Sequence, residues 1–357
     1  MRTRGVLVSV NLFTALAILG PTVASPDDAD AIALFERYVE ALRRIAHVPG
    51  LSGIILRDGR TVWLRGLGFE DLESRIPATP DTLYHVASLT KTFTSTLLLQ
   101  CVERGTLSLD ERIARYSSAI PEPDATVRHV LTHTSQGAPG AIFRYDGDRF
   151  FALTAVVTAC HGRPFRRALA AEILDRAAMI DSVPGHDLER PTPTLAALFD
   201  PASLARYAAA VRRLALPYTV SRGGASRSDY PPRDMNAATG LLSNVVDLAK
   251  YDAAIDANVF ISRSSQQQAW TNAISTTFRD TLPYGLGWFV QQESGVRLVW
   301  HYGQWSQYSA LYLKVPDRRL TLILLANSGG LSVAFPMAAG DVMVSPFART
   351  FVKLFVT

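Results

Sequence analysis

From Asp28 to Ile45 apolar residues fall at helical spacing: Ile32, Phe35, Tyr38, Val39, Leu42 and Ile45. They mark one face of an amphipathic helix that Asp28 or Asp30 can cap. Two short apolar runs follow, Ser52–Leu56 and Arg60–Leu64, separated by Asp58-Gly59. This is a hairpin pattern, because Asp-Gly supplies the left-handed backbone of a tight turn. Beyond Asp81 the pattern is mainly helical to about Tyr251. The last quarter returns to strands at Tyr284–Gln291, Val296–Trp300, Ser309–Val315 and Leu320–Ala326, with Pro316-Asp317 as a turn between the last two. Ala334–Phe355 reads as a closing helix, and the Gly, Ser and Pro of Ser221–Arg233 read as a loop.

Strands at both ends around a helical block predict an α+β fold. One antiparallel sheet is built from N- and C-terminal strands, flanked by helices, with an inserted helical region. The sheet part covers about 30–90 and 280–357 and the helical part about 91–255. No internal repeat is visible.

The N-terminus changes the picture of where the chain works. Arg2 and Arg4 precede an apolar run, and Thr22-Val23-Ala24 places small residues at the −3 and −1 positions of a cleavage site. The expectation is a signal peptide, residues 1–24, cut after Ala24, leaving a domain at 25–357 in a secreted or periplasmic location. The run 5–20 is shorter than the roughly 20 residues a spanning helix needs, so no stable membrane insertion is expected.

Composition narrows the chemistry. Of 357 residues, 48% are hydrophobic and 19% charged, which fits a folded domain. The 36 Lys and Arg face 32 Asp and Glu; removing Arg2 and Arg4 leaves 34 against 32, with no basic block suited to nucleic acid. Two cysteines, Cys101 and Cys160, exclude a cysteine zinc site. Both lie in apolar helix-like runs, so two buried free thiols are expected, with one disulfide as the alternative. Only four lysines occur, Lys91, Lys250, Lys314 and Lys353, so a lysine in a special context carries weight.

Ser88-Leu89-Thr90-Lys91 opens an apolar helix. Residues i and i+3 share a helix face, so the Lys91 amine can reach the Ser88 hydroxyl. A lysine desolvated there loses its proton more readily and can act as a base. His129 and His133, at i and i+4, have the spacing of a metal pair, but no acid follows His129 and no third ligand is apparent, so no metal or cofactor is expected. Gly-x-Ser-x-Gly and phosphate-loop motifs do not occur.

With these residues in view the chain resembles the serine β-lactamase and penicillin-binding-protein superfamily, in its class C-like, esterase-containing branch. HVASLTKTFT at 85–94 is similar to the family's nucleophile segment. VRHVLTHTSQG at 127–137, FRYDGDRFFAL at 143–153, ATGLLSNVVDLAKY at 238–251, YGLGW at 284–288 and HYGQWSQYS at 301–309 follow in the family's order. The resemblance implies Ser88 as acylated nucleophile, Lys91 as its base, Tyr145 as proton shuttle and His301-Tyr302-Gly303 as the third motif. It places the oxyanion hole at the backbone N–H groups of Ser88 and Gln304, with Gly303, Gln304 and Trp305 at the substrate. Trp288, Trp300 and Tyr308 suit either the pocket or the sheet core.

Two positions depart from the family. Tyr145-Asp146-Gly147 has glycine where the family has an asparagine that binds the lysine and the substrate amide. His301 replaces a lysine; near its ordinary pKa of about 6.5 it is expected to hold a substrate carboxylate better as pH falls. Both departures point away from a dedicated β-lactamase. The reading is an exported serine hydrolase cleaving small ester, amide or peptide-like substrates. Its alternatives are a β-lactamase or D-Ala-D-Ala carboxypeptidase, and a catalytically weak ligand-binding relative. The oligomeric state is not legible.

Overall fold

The computed structural model describes residues 26–357, so the expected leader and its cleavage point lie outside the described residues. Helix α1 (Pro26–Ile45) leads into β1 (Gly50–Arg57) and β2 (Arg60–Asp71). Asp58 and Gly59 join them with φ of 52° and 73°, the paired left-handed residues of the expected tight turn. Short strands β3 (Ile76–Pro77) and β4 (Tyr84–His85) precede α2 (Thr90–Glu103), α3 (Val127–Leu131), α4 (Gly147–Phe150) and α5 (Leu153–His161). Strands β5 (Val183–Pro184), β6 (Tyr218–Ser221), β7 (Gly224–Arg227) and β8 (Leu241–Ser243) lie among the remaining helices of the inserted region. The chain then forms β9 (Phe289–Glu293), β10 (Val296–Gln304), β11 (Ser309–Val315) and β12 (Leu320–Ala326), and ends in a helix at Pro346–Phe355.

Seven strands form one sheet in the order β3-β2-β1-β12-β11-β10-β9, its named pairs antiparallel. Leu51 pairs with Ala326 and Ile54 with Ile323, so the N-terminal hairpin and the C-terminal strand are neighbours in the sheet. The α+β architecture read from the sequence is the one observed.

Strands β1, β11 and β12 are apolar without alternation because both faces are covered. Ile54, Leu56, Ile323 and Leu325 enter the core shared with the inserted helices, around Phe93 and Leu97. Leu51, Ile55, Leu322 and Leu324 face a second core with Phe35 and Val39 of α1 and Phe347 and Phe351 of the C-terminal helix. A buried ionic group ties the sheet to the helical layer. Lys314 of β11 donates to Asp252 and Asp256 of the helix Val245–Asp256, at 2.9 Å each. Burial works to lower the Lys314 pKa, but the two carboxylates outweigh it and hold the ammonium charged.

Three sequence expectations need correction. The closing helix is confined to Pro346–Phe355; 334–344 holds only two single-turn 3-10 segments, Met337–Ala339 and Val342–Val344, because Pro336 lacks an N–H for a helix and Gly340 turns the chain at φ 98°. The glycine-rich stretch after Ser221 is half of a hairpin, with Tyr218 paired to Arg227. The two cysteines are not free: Cys101 of α2 and Cys160 of α5 form a disulfide, their Cα atoms 6.0 Å apart. The helical runs were read correctly, but which faces the two helices turn to each other is a matter of packing. No helix among the described residues is long and apolar enough to cross a membrane.

Candidate active site

Ser88 sits in a tight turn, Ala87–Leu89, that runs straight into α2. The turn is strained: Ala87 has φ 49°, a left-handed conformation costly for a residue with a Cβ. Hydrogen bonds clamp it there. The Ala87 N–H donates to His85 Nδ1 at 3.0 Å, and Thr90 Oγ1 donates to the Ala87 carbonyl at 2.8 Å. Helix α2 is buried from Thr90 to Cys101. Its hydroxyls are spent on carbonyls, Thr92 on Leu89, Thr94 on Ala237 and Ser95 on Leu286, which is how so polar a helix tolerates the interior.

Lys91 is 0% exposed, and its Nζ lies 2.8 Å from Ser88 Oγ and 3.1 Å from the Ala238 carbonyl. Burial lowers its pKa to about 7, against the pull of Asp146 and Asp148, which favour the charged form. An amine in that range is substantially free at neutral pH. It can then accept the Ser88 proton along the same short contact. The Nζ also stands 5.3 Å from the ring centroids of Tyr145 and Phe150.

Tyr145 lies just before α4, whose first backbone donors are capped by Asp146 accepting from the Arg149 N–H at 3.0 Å. The Tyr145 hydroxyl is buried without a hydrogen-bond partner. Burial and the neighbouring Tyr302 push its pKa well above the usual phenol range, with the Ser88 hydroxyl beside it acting the other way. It therefore stands as a protonated phenol, able to hand on a proton as it receives another. Gly147 leaves space next to the lysine: a Cβ placed there would lie 3.8 Å from Lys91 Nζ, an ordinary contact.

Strand β10 closes the site. A Cβ on Gly303 would fall 2.1 Å from the Val86 carbonyl oxygen, so only glycine lets β10 run against the nucleophile turn. Gln304 follows at the strand end and lines the same cavity as Ser88, Tyr145 and Tyr302. The structure brings together Ser88, Lys91, Tyr145, Gly303 and Gln304 of the residues singled out in the sequence. Trp305 stands apart. Its ring lies edge-on to His85, centroids 6.1 Å apart, and it is not among the side chains lining that cavity. Trp300 stacks on Phe289 at 4.2 Å, and Trp288 is 5.5 Å edge-on from Tyr312; both are core residues.

His301 departs from expectation. It is 0% exposed, with Nδ1 2.7 Å from the Tyr302 carbonyl and Nε2 2.8 Å from the Tyr284 hydroxyl. A carbonyl only accepts, so Nδ1 carries the proton and Nε2 accepts from Tyr284. Burial, and secondarily Lys91, lowers its pKa to about 3. It is a neutral, inward-facing residue, not a carboxylate receptor that charges near pH 6.5. The ordinary value near 6.5 does not hold here because desolvation is a property of the fold.

The histidine pair set aside as metal ligands in the sequence is structural. His133 lies under Tyr145, centroids 4.4 Å apart, and its Nδ1 accepts from the Asp146 N–H at 3.2 Å, fixing the backbone beside Tyr145. His129 instead caps α3, its Nδ1 accepting from the Thr126 N–H. The segment 333–338 lines the same cavity as Tyr145 and Tyr302; Pro336 was the one signal against a helix there.

Comparison with known proteins shows the family and the fold. The model of the Beta-lactamase family matches residues 35–341, and the chain belongs to that family, whose members are serine hydrolases. It is 24% identical over 310 residues to Penicillin-binding protein 4* of Bacillus subtilis, covering 75% of this chain and 66% of that one. It is 33% identical over 126 residues to Esterase EstB of Burkholderia gladioli, covering 33% and 32%. The chain thus spans less than two thirds of the length of these curated relatives. Among solved structures, the octameric penicillin-binding protein homologue from Pyrococcus abyssi superposes with a TM-score of 0.73 at 22% identity, covering 90% of this chain and 77% of that one.

Proposed function

We propose that this protein is an exported serine hydrolase that cleaves ester or amide bonds through a covalent seryl acyl-enzyme. The observation that carries the reading is the buried Lys91 amine, 2.8 Å from Ser88 Oγ and free of its proton above about pH 7. In this reading Lys91 takes the Ser88 proton as Oγ bonds to the substrate carbonyl carbon. The oxyanion forms against the backbone N–H groups of Ser88 and Gln304, donors whose individual loss typically costs about 3 kcal/mol of transition-state stabilisation. The proton passes by way of Tyr145 to the leaving oxygen or nitrogen as the carbonyl–leaving-group bond breaks. Water then enters by the reverse route and frees Ser88. The Cys101–Cys160 disulfide supports export, since such bonds persist in oxidising compartments.

The test is a fluorophosphonate probe read by intact mass, beside hydrolysis of p-nitrophenyl esters. One adduct on Ser88, lost with ester hydrolysis in Ser88→Ala, is expected. Lys91→Ala and Tyr145→Phe should each lower kcat by about a thousandfold or more, and the double variant should be little worse than either, as for groups acting as a unit. Labelling at another serine, or full activity in Ser88→Ala, overturns the mechanism. Labelling without turnover would leave a relative that holds ligands instead of cleaving them.

A further inference from the structure

The cavity at Ser88 holds about 500 Å³. Among the described residues, no acidic, imidazole, ammonium or guanidinium side chain lines it. Tyr145, Tyr302 and Gln304 line it together with Val333, Ala334, Phe335, Pro336 and Ala338. The apolar wall is a built feature. Buried Leu331, Ser332 and Met337 anchor it, and the Val333 N–H donates to the Gly329 carbonyl at 2.8 Å, while the Phe335 N–H donates to Ser332 at 3.0 Å. The residue at which a cation for a carboxylate was expected, His301, is turned inward with both ring nitrogens occupied.

We infer that this cavity receives the leaving group of the substrate and selects an uncharged, apolar one, an aryl or alkyl alcohol, over one that carries a carboxylate. The assignment of the cavity to the leaving group rests on the acyl-enzyme reading, in which Tyr145 protonates the departing atom. The selectivity itself rests on the lining. A carboxylate held against this lining meets no charged side chain among the lining residues, whereas an apolar ring gains contact with Tyr302, Phe335 and Pro336.

The test compares phenyl butyrate with 3-carboxyphenyl butyrate, which share an acyl group and release phenols of similar leaving ability. We expect kcat/KM at least tenfold higher for the phenyl ester. Ala338→Arg, at an exposed position of this wall, should narrow that ratio severalfold by giving the carboxylate a charged partner. A second measurement separates this inference from the mechanism. The Ser88→Ala protein, titrated calorimetrically with the two esters, should bind the phenyl ester at least several-fold more tightly. Equal or reversed preference in either measurement overturns the inference. An intact binding preference with no probe labelling of Ser88 in the wild type would overturn the acyl-enzyme reading alone.

Discussion

The Tyr284 hydroxyl donates to His301 Nε2 at 2.8 Å, while Nδ1 of the same ring is committed to the Tyr302 carbonyl. This one pairing converts a residue in a substrate-facing motif into part of the buried support of Tyr145. It also settles what pH acts upon, because the imidazole stays neutral through the range in which the enzyme would work.

The pH dependence therefore belongs to Lys91. In the acyl-enzyme reading its free amine is the form that accepts the Ser88 proton, and burial lowers its pKa to about 7. Ester kcat/KM should fall tenfold per pH unit below that value and level off above it. A profile measured from pH 5 to 9 with a neutral ester should show this single acidic limb. An additional inflection near 6.5, abolished in His301→Gln, would contradict the neutral histidine.

Restoring the missing amide is a test of the site's geometry. Gly147 is the first residue of α4 and a Cβ there sits 3.8 Å from Lys91 Nζ, so Gly147→Asn fits without displacing the chain. The new amide would face the lysine, where it can also reach a substrate amide. The ratio of nitrocefin to p-nitrophenyl butyrate turnover should rise at least severalfold. His301→Lys is the poorer companion change, as it would bury a second ammonium beside Lys91.

Reduction should weaken the fold. The disulfide closes a sequence separation of 59 residues between α2 and α5, for which the chain-entropy argument gives about 4 kcal/mol. Cys101→Ser with Cys160→Ser should lower Tm by several degrees, and adding dithiothreitol should lower the wild type to a similar point while leaving the double variant unmoved. An unchanged Tm on full reduction, verified by thiol titration, would show the crosslink to be without thermodynamic weight.

Asp252 and Asp256 should differ in a way that burial dictates. Asp252 is 2% exposed and is shared by Lys314, Tyr312 and Thr321, whereas Asp256 is near the surface. Asp252→Ala leaves Lys314 buried with one partner at the edge, a loss of about 3 kcal/mol in urea unfolding. Asp256→Ala should cost about 1 kcal/mol or less. Equal losses would mean that Lys314 is solvated in the native protein.

Much of the architecture was local information. Asp58-Gly59 specifies a tight turn by backbone chirality, and the apolar runs at 309–315 and 320–326 are strands with the expected bounds. The Ser88–Lys91 contact follows from helical periodicity alone, since i and i+3 lie on one face. Other features were settled at a distance. Whether Cys101 meets Cys160 depends on how α2 packs on α5. That His301 is neutral depends on Tyr284, Tyr302 and Lys91 surrounding it, and that 333–338 walls the cavity depends on where β12 delivers the chain. Sequence spacing determined which groups could touch within a turn or a hairpin. Desolvation and the choice of partners across the core arise only when distant segments pack, and here those decided the charge of the site and the lining of its cavity.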